Sequence, residues 1–382
     1  MHRIENLITG LCPNGVPFTD IKSVAEVGTG SSNGNEADEN GLYPFFIRSK
    51  TVKLKCSYEY DEEAIIIPGE GGVGEIFHYI NGKYALHQRV YRIHFTEPSI
   101  DTRFVYYYME AFFKKFILRK AVSATVTSIR KPMIESIQIP VPPLEVQQEI
   151  VRILDHFSEL TAELTAELTA ELTARKEQYI YYRNRLLTPT SQSTWMTLGD
   201  IGKVAMCKRI MKAETSPSGD VPFYKIGTFG KEPDAYISKA KYEEYRSKYS
   251  FPKKGDILIS AAGTIGRTVI YDGEPAYYQD SNIVWVENDE SIVLNRYLYY
   301  YYQLQPWSVS TGGTIARLYN DNISKARISV PPLPEQRRIV SILDRFDALC
   351  NDLTSGLPAE IAARQKQYEY YRDKLLTFKE RV

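Results

Sequence analysis

Two glycine-containing segments are the first residues whose spacing could support chemistry. Residues 65–74 and 257–266 each run from three apolar residues into a stretch that contains Gly. A phosphate-binding P-loop has four residues between its first Gly and a Gly-Lys-Ser or Gly-Lys-Thr sequence, and neither segment has this pattern. Both segments therefore predict β-turns between strands, although their glycines would still let backbone amides approach a phosphate.

Groups that could carry out catalysis are not repeated as a duplicated active site would require. The histidines all lie in the first half of the chain: His2, His78, His87, His94 and His156. The Pro-Pro pairs at 142–143 and 331–332 follow Val, whereas an amino-methyltransferase motif has Asn or Asp there to bind the target amine. Asp234 with Lys239 or Lys241 resembles a nuclease pattern, but such pairs occur by chance in most chains. We therefore predict no catalytic residue and no metal site.

Composition limits the class of protein. A length of 382 residues predicts two or three domains. The four cysteines form no Cys-x-x-Cys pair, which argues against zinc or disulfides and fits a reducing cytoplasm. No signal-type run begins the chain, and no stretch approaches the roughly 20 apolar residues of a membrane span. The net charge is zero, but residues 101–131 carry seven Lys or Arg against two acids, so a basic surface is still possible.

The chain repeats itself once at long range. Val-Pro-Pro-Leu at 141–144, Ile-Leu-Asp at 153–155 and a Tyr-rich segment at 175–183 each recur 189 residues later. One repeat of this length indicates two copies of a single module rather than a solenoid.

A tetrapeptide, Leu-Thr-Ala-Glu, repeats through residues 160–173, and the second copy keeps only its apolar positions. Apolar residues four apart lie along one face of a helix, so we predict that the two helices pair. The predicted pairing positions are Leu160, Leu164, Leu168, Leu172, Leu349, Leu353, Leu357 and Ile361. Gly356 and Pro358 interrupt the second stripe, which predicts a kink or a restarted helix capped by Thr354 or Ser355.

The remaining segments, 1–143 and 189–333, match each other only in outline. Both are rich in β-branched and aromatic runs bounded by Gly, Pro, Asn and Asp, which predicts strands and turns, and each has a Tyr cluster that predicts a short helix. The predicted fold class is α+β. Two strand-rich mixed α/β domains are separated by two long antiparallel spacer helices, within 144–188 and 334–382, in a pseudo-two-fold repeat.

The repeated spacers, the Gln-Tyr-x-Tyr-Tyr-Arg endings and the Thr-Ala-Glu-Leu tract resemble those of the specificity (S) subunits of type I restriction-modification systems, type IC above all. The resemblance implies that 1–143 and 189–333 are target recognition domains, each reading half of a split DNA site. It implies that the spacers dock two modification subunits that methylate adenine with S-adenosylmethionine. Restriction subunits that use ATP and Mg²⁺ would join them, and none of these cofactors would bind this chain.

Side chains that could contact DNA are those able to reach base edges or phosphates. In the first recognition domain we select Ser31, Asn33, Arg48, Lys50, Arg89, Arg92, Arg130 and Lys131. In the second we select Lys208, Arg209, Lys212, Lys225, Thr228, Lys231, Arg267 and Arg317. Residues 125–130 and 314–318 lead into the Pro-Pro corners and are predicted to form loops that face DNA.

The spacer tyrosines have two interpretations. They would either pack within the helix pair or form docking surfaces for the methyltransferase subunits, since Tyr is enriched in interface cores. These residues are Tyr179, Tyr181, Tyr182, Tyr368, Tyr370 and Tyr371. Two other functions stay open from the sequence: the recognition partner of a type IIB or IIG-like nuclease, and a helical scaffold that does not bind DNA.

Overall fold

A computed structural model describes residues 2–120, 128–309, 316–352 and 354–381. These residues contain both helices and strands. The helices are α1 (His2–Leu11), α2 (Ile21–Val24), α3 (Thr102–Lys120), α4 (Lys131–Glu135), α5 (Leu144–Leu186), α6 (Leu198–Ile201), α7 (Lys239–Lys248), α8 (Asn295–Tyr302), α9 (Asn320–Ser324), α10 (Leu333–Asn351) and α11 (Leu357–Leu376).

The strands fall into the same two halves as the sequence repeat. Those of the first half are β1 (Phe18–Asp20), β2 (Ala25–Thr29), β3 (Tyr43–Phe46), β4 (Lys53–Lys55), β5 (Tyr60–Pro68), β6 (His78–Leu86), β7 (Val90–Phe95) and β8 (Gln138–Pro140). Those of the second half are β9 (Thr194–Thr197), β10 (Gly202–Ala205), β11 (Val221–Tyr224), β12 (Tyr236–Ile237), β13 (Ile257–Ser260), β14 (Thr268–Ile270), β15 (Tyr277–Tyr278), β16 (Ile283–Asn288) and β17 (Arg327–Val330).

The chain divides into two compact units. Unit 1 comprises residues 1–168 and 360–382, and unit 2 comprises residues 169–359. Each unit therefore contains one strand-rich domain, half of α5 and a helix from the C-terminal spacer.

Unit 1 has a six-stranded sheet in the order β2-β7-β5-β6-β3-β4, and β1 pairs with β8 in a separate ribbon. The apolar run of β5 is explained by burial on both faces of this sheet. Ile65 and Ile67 lie in one hydrophobic core, whereas Ile66 lies in another on the opposite face. Alternate side chains of a strand point to opposite faces, so a continuous apolar run is what a doubly covered strand requires.

Unit 2 divides its strands between the sheets β10-β16-β13-β14 and β12-β11-β15, and β17 pairs with β9. Its central strand β13 repeats the arrangement of β5, because Ile257 and Ile259 belong to one core and Leu258 to another. The predicted turns follow these strands. Gly71 and Gly263, with φ of 68° and 64°, occupy the left-handed backbone region that favours glycine.

The spacer helices differ in continuity. Helix α5 runs for 43 residues through the whole tetrapeptide tract. The second spacer breaks between α10 and α11, and Pro358 lies in the first turn of α11, as the sequence predicts. The hydroxyls of Thr354 and Ser355 both donate to the carboxylate of Asp352, which lies in the break.

Burial is uneven along the predicted Leu stripe. Leu168 and Leu357 are buried, Leu164, Leu172 and Ile361 are half-buried, and Leu160 and Leu349 are exposed, while Leu353 lies outside the described residues. In unit 1 the two spacers are in contact through aromatic residues, because Phe157 of α5 packs edge-on against Tyr371 of α11 and the Ser158 hydroxyl bonds to that of Tyr368. Pairing of the two Leu stripes stays a prediction.

A buried glutamine joins each strand-rich domain to its spacer helix. Gln147, on α5, donates to the carbonyls of Ser99 and Pro142 and accepts a bond from the Asp101 amide. In unit 2, Gln336 makes the equivalent bonds, from Nε2 to the carbonyls of Ile292 and Pro331 and from the Leu294 amide to Oε1. Both side chains are completely buried, so each closes the domain onto its helix with three bonds protected from water.

A spacer aspartate receives an Arg and a Tyr from the Tyr-rich helix of the same unit. In unit 1, Arg103 and Tyr107 donate to Asp155 Oδ1 over 2.7 and 2.6 Å. In unit 2, Arg296 and Tyr300 donate to Asp344 Oδ1 over 2.7 and 2.5 Å. We refer to each Asp–Arg–Tyr cluster, together with the buried Gln of its unit, as a spacer latch.

The buried glutamine of unit 2 predicts a selective loss of stability. Gln336→Leu keeps the side-chain volume but removes three hydrogen bonds to buried backbone groups, so we expect the free energy of unfolding of unit 2 to fall by about 2–5 kcal/mol. All three tryptophans, Trp195, Trp285 and Trp307, lie in unit 2, so urea unfolding followed by Trp fluorescence reports on this unit.

The exposed Gln192→Leu substitution, also in unit 2, is the matched control and should change stability by less than about 0.5 kcal/mol. A loss below about 1 kcal/mol in Gln336→Leu would contradict the importance assigned to the buried bonds.

Candidate nucleic-acid interface

Three chain segments meet at one end of the unit 1 sheet. The first two segments are the turn between β6 and β7, residues 87–89, and the residues that follow β5. They are joined by a hydrogen bond of 2.9 Å from the Gly69 amide to the Arg89 carbonyl. The Gly69 carbonyl in turn accepts a bond of 2.8 Å from the amide of Ile129. We call this arrangement the three-segment platform.

Unit 2 contains the same platform with different residues. The Ala261 amide donates to Asn282 O over 2.7 Å, and the Leu318 amide donates to Ala261 O over 2.9 Å. The β15–β16 turn, residues 279–282, therefore takes the place of residues 87–89. The backbone of this site is repeated even though its sequence is not.

Charged groups on the unit 1 platform are concentrated around one carboxylate. Arg48 and Arg89 both direct Nη1 to Oε1 of Glu70. The hydrogen bond from Arg89, helped by the charge of Arg48, holds the pKa of the Glu70 carboxyl below its usual value, so Glu70 is ionised at neutral pH. The arginine side chains are 44% and 59% exposed, which leaves much of each guanidinium accessible to a polyanion.

Amide groups lie beside these arginines. Gln88 Nε2 donates to Asn33 Oδ1 over 2.7 Å, and the side chains of both residues are exposed. Gln88, Arg89 and Arg130 border a cleft of about 270 Å³ together with Glu70. The structure thus brings Asn33, Arg48, Arg89 and Arg130 of the predicted set to one surface.

Ser31 lies close to this surface, but its amide and hydroxyl both donate to the carboxylate of Glu59. Lys50 and Lys131 are exposed, and Lys131 pairs with Glu135 within α4 at 3.7 Å.

Arg92, another residue of the predicted set, lies away from this surface. Its side chain is only 13% exposed, and its guanidinium donates to both oxygens of Glu62 over 2.9 Å and to Glu26 over 3.1 Å. It also lies 4.6 Å over the ring of Tyr60. Arg92 therefore belongs to an ion-pair network on the sheet, not to an exposed basic surface.

The unit 2 platform carries a different set of groups. Arg209 donates to Asp280 over 2.8 Å and is 66% exposed, whereas Asp280 is 14% exposed. Arg317 donates to the carbonyl of Ser281 over 2.6 Å. Ser281 has a φ of 59°, a backbone region that non-glycine residues rarely occupy, so the Arg317 bond helps to hold a strained turn.

Four other predicted residues of unit 2, Lys225, Thr228, Lys231 and Arg267, lie around a loop next to this platform. The loop begins at Ile226, whose amide donates to the Gln279 side chain. Thr228 accepts a bond from the Lys225 amide, and Arg267 donates to the Phe229 carbonyl over 2.9 Å. Lys231 borders a cleft of about 410 Å³ lined by Tyr224 and Tyr278, among others.

Three of the basic side chains in unit 2 have different surroundings. Lys225 pairs with Asp234 at 2.8 Å, and Lys208 lies 5.2 Å over the ring of Tyr249. Lys212 is exposed on a short 3₁₀ turn.

The predicted DNA-facing loops fall partly outside the described residues. Residues 128–130 belong to the unit 1 platform and residues 316–318 to the unit 2 platform. Residues 125–127 and 314–315 lie outside the described ranges. The described parts show that both loops return to the sheet end that carries the platform.

Some of the spacer tyrosines contact other side chains of their own unit, and others are exposed. Tyr179 is 8% exposed and donates to Gln303 over 2.8 Å, and the hydroxyl of Tyr368 lies 2.8 Å from that of Ser158. Tyr182 stacks on Phe346. These residues, with Tyr371, pack within their own unit.

Tyr181 and Tyr370 are 57% and 63% exposed. They occupy equivalent positions in the two copies, one residue before Tyr182 and Tyr371. The predicted docking set therefore leaves one well-exposed aromatic on each spacer.

Glu70, Gln88 and Asp280 are absent from the predicted set, which was chosen mainly for positive charge. The turns at 87–89 and 279–282 correspond through backbone hydrogen bonds and strand pairing and not through their residue types, so the sequence carries no signal for them. The residues that differ within an otherwise repeated backbone are the informative ones.

Within the described ranges, no group of three or more His, Cys, Asp or Glu side chains is arranged to hold a metal ion. No helix in those ranges combines the length and apolarity needed to span a membrane.

Comparison with known proteins assigns the family. Residues 13–174 and 192–363 match the model for the type I restriction modification DNA specificity domain. A putative type I restriction enzyme specificity subunit from Haemophilus influenzae is 50% identical over 89% of this chain and 89% of its own length. A type I restriction enzyme specificity subunit from Escherichia coli is 32% identical over 64% of this chain and 63% of its own length.

Solved structures agree in fold. A chain solved in work on complex assembly and conformational transition of the type I restriction-modification system has a TM-score of 0.63 at 16% identity, covering 95% of this chain and 98% of that one. The HsdS subunit from Thermoanaerobacter tengcongensis has a TM-score of 0.52 at 15% identity, covering 97% and 99%. The chain therefore belongs to the type I restriction-modification specificity subunits, the proteins that provide DNA specificity in these systems.

Proposed function

We propose that this subunit reads a split, asymmetric DNA site, with one half-site for each strand-rich domain. The observation that supports this most directly is the repeated three-segment platform. Its backbone bonds are the same in both units, but Glu70 and Arg89 in one are replaced by a different charge arrangement around Asp280 in the other. Because bases are distinguished by donor and acceptor patterns, unlike side chains on equivalent backbones imply unlike half-sites.

The proposed partners are two methyltransferase subunits and the restriction subunits of the same system. Two identical partners need two equivalent surfaces, and the exposed Tyr181 and Tyr370 supply one on each spacer. S-adenosylmethionine, ATP and Mg²⁺ would be bound by these partners, and catalysis would take place there. The tetrapeptide tract favours a type IC-like system, and the expected location is the cytoplasm.

The spacer tract sets the proposed gap between half-sites. Four helical residues rise about 6 Å and turn about 400°, a net rotation near 40°. One base pair turns roughly 34–36°. Adding one tetrapeptide thus rotates one end of the spacer relative to the other by about the twist of one base pair. The rise of the tetrapeptide along the helix exceeds the rise of one base pair along DNA.

Two arginines test the proposed DNA contacts. We expect Arg130→Ala and Arg317→Ala each to weaken binding of the assembled complex to its target duplex by about 1–3 kcal/mol if the side chain contacts a base. A phosphate contact would instead weaken binding to all sequences and reduce the salt slope.

Fluorescence anisotropy at several salt concentrations separates these outcomes. Arg152→Ala is the control, because Arg152 pairs with Glu149 on the first spacer. Unchanged affinity and salt slope in either variant would remove that arginine from the interface.

A spacer deletion tests the proposed gap. Removing Thr161–Leu164 takes out one tetrapeptide and leaves Phe157 and Ser158, which contact α11, in place. We expect a shorter gap with both half-sites unchanged, measured by sequencing methylated adenines in cells that produce the complex.

Thr161→Ala combined with Glu163→Gln keeps the spacer length and should keep the gap. Altered half-site bases in the deletion variant would mean that the spacer is part of the reading surface.

A further inference from the structure

The turns at 87–89 and 279–282 start from the same backbone position in the two units. Strand β6 runs parallel to β3, and after it the His87 amide donates to Phe46 O over 3.0 Å. Strand β15 runs parallel to β11, and after it the Gln279 amide donates to Tyr224 O over 3.0 Å. The two turns therefore have equivalent backbones and differ in their side chains.

We propose that Gln88 and Arg89 are specificity-determining residues of the first recognition domain. Arg89 reads the guanine of one G·C pair and Gln88 reads the adenine of one A·T pair in the same half-site. This inference rests on the proposed function, because it assigns the base contacts of a domain taken to read DNA.

Arg89 has the geometry that guanine recognition requires. An arginine binds O6 and N7 of guanine through two N–H groups of its planar fork. Glu70 accepts a bond from Nη1 of Arg89 and so fixes the guanidinium before DNA arrives, while Nη2 and Nε remain to face a base. Arg48 shares the same carboxylate oxygen, so the site keeps a net positive charge for the approach of DNA.

Gln88 is arranged for adenine. A glutamine reads adenine by accepting from N6 and donating to N7. Asn33 accepts one Nε2 hydrogen of Gln88, which orients the amide and leaves Oε1 and the second hydrogen for a base. The backbone beneath is also fixed, since the Gln88 amide donates to Ser32 O over 3.0 Å.

The unit 2 turn, residues 279–282, contains no Arg, and its glutamine is engaged within the protein. The Gln279 side chain accepts a bond from the Ile226 amide, so its Oε1 is used within the loop. Asp280, at the next position, is largely buried against Arg209. Changes at Gln88 or Arg89 should therefore alter one half-site and leave the other intact.

The test uses the full subunit with its own methyltransferase subunits, produced in cells without other adenine methylation. Methylated adenines are mapped by sequencing for the wild type, Gln88→Ala, Arg89→Ala and Arg89→Lys. Arg89→Lys keeps the charge but loses the fork. Lys83→Ala is the control, since Lys83 lies on β6 over the ring of Tyr58, away from the turn.

We expect both Arg89 variants to lose about 10- to 100-fold of discrimination at one G·C pair. Gln88→Ala should lose a similar factor at one A·T pair of the same half-site. The second half-site, the gap and the Lys83→Ala map should match the wild type, and thermal unfolding of all variants should be unchanged.

Two results would contradict the roles assigned to Gln88 and Arg89 without contradicting the proposed function. One is a split wild-type motif that all the variants reproduce, and the other is relaxation in both half-sites or at the same position in Lys83→Ala. Absence of any split motif in the wild type would instead reject the proposed function.

Discussion

A partly exposed aspartate on each spacer helix, held by one Arg and one Tyr, is the interaction on which the remaining geometry depends. Asp155 and Asp344 fix the Tyr-rich helix of their unit, and the buried Gln147 and Gln336 close the neighbouring loop. A bond to a charged group contributes about 1.5–3 kcal/mol, and exposure reduces this, so the buried glutamines contribute the larger share. The latch acts together with the buried apolar residues of the spacer helix, such as Ile150 and Leu154, to orient the platform relative to its own helix.

The latch is the same in the two units, whereas the side chains of the platform turns differ. The backbone of the platform repeats with the latch, and the turns whose side chains differ are residues 87–89 and 279–282. A recognition surface can therefore change its polar groups without moving its attachment to the spacer. This arrangement is consistent with the proposed function, in which the two domains read different bases and the two spacers bind equivalent partners.

The sequence predicts the spacers better than the platforms. The Leu periodicity and Pro358 predict α5 and the break before α11, because helix formation depends on local spacing. The apolar runs that become β5 and β13 are also predictable, since both strands are buried on two faces. The ion pairs of Arg92 with Glu62 and Glu26 could not be predicted, because they join three strands that are distant in sequence. The roles of Gln88 and Glu70 likewise follow from strand pairing, which spacing does not show.

In the proposed function, the two latched domains read unlike half-sites at a fixed separation. A genome-wide map of methylated adenines, in cells that produce this subunit with its methyltransferase, tests this most directly. We expect one split motif with two different half-sites and a single gap length. A continuous motif, identical half-sites or a variable gap would contradict it.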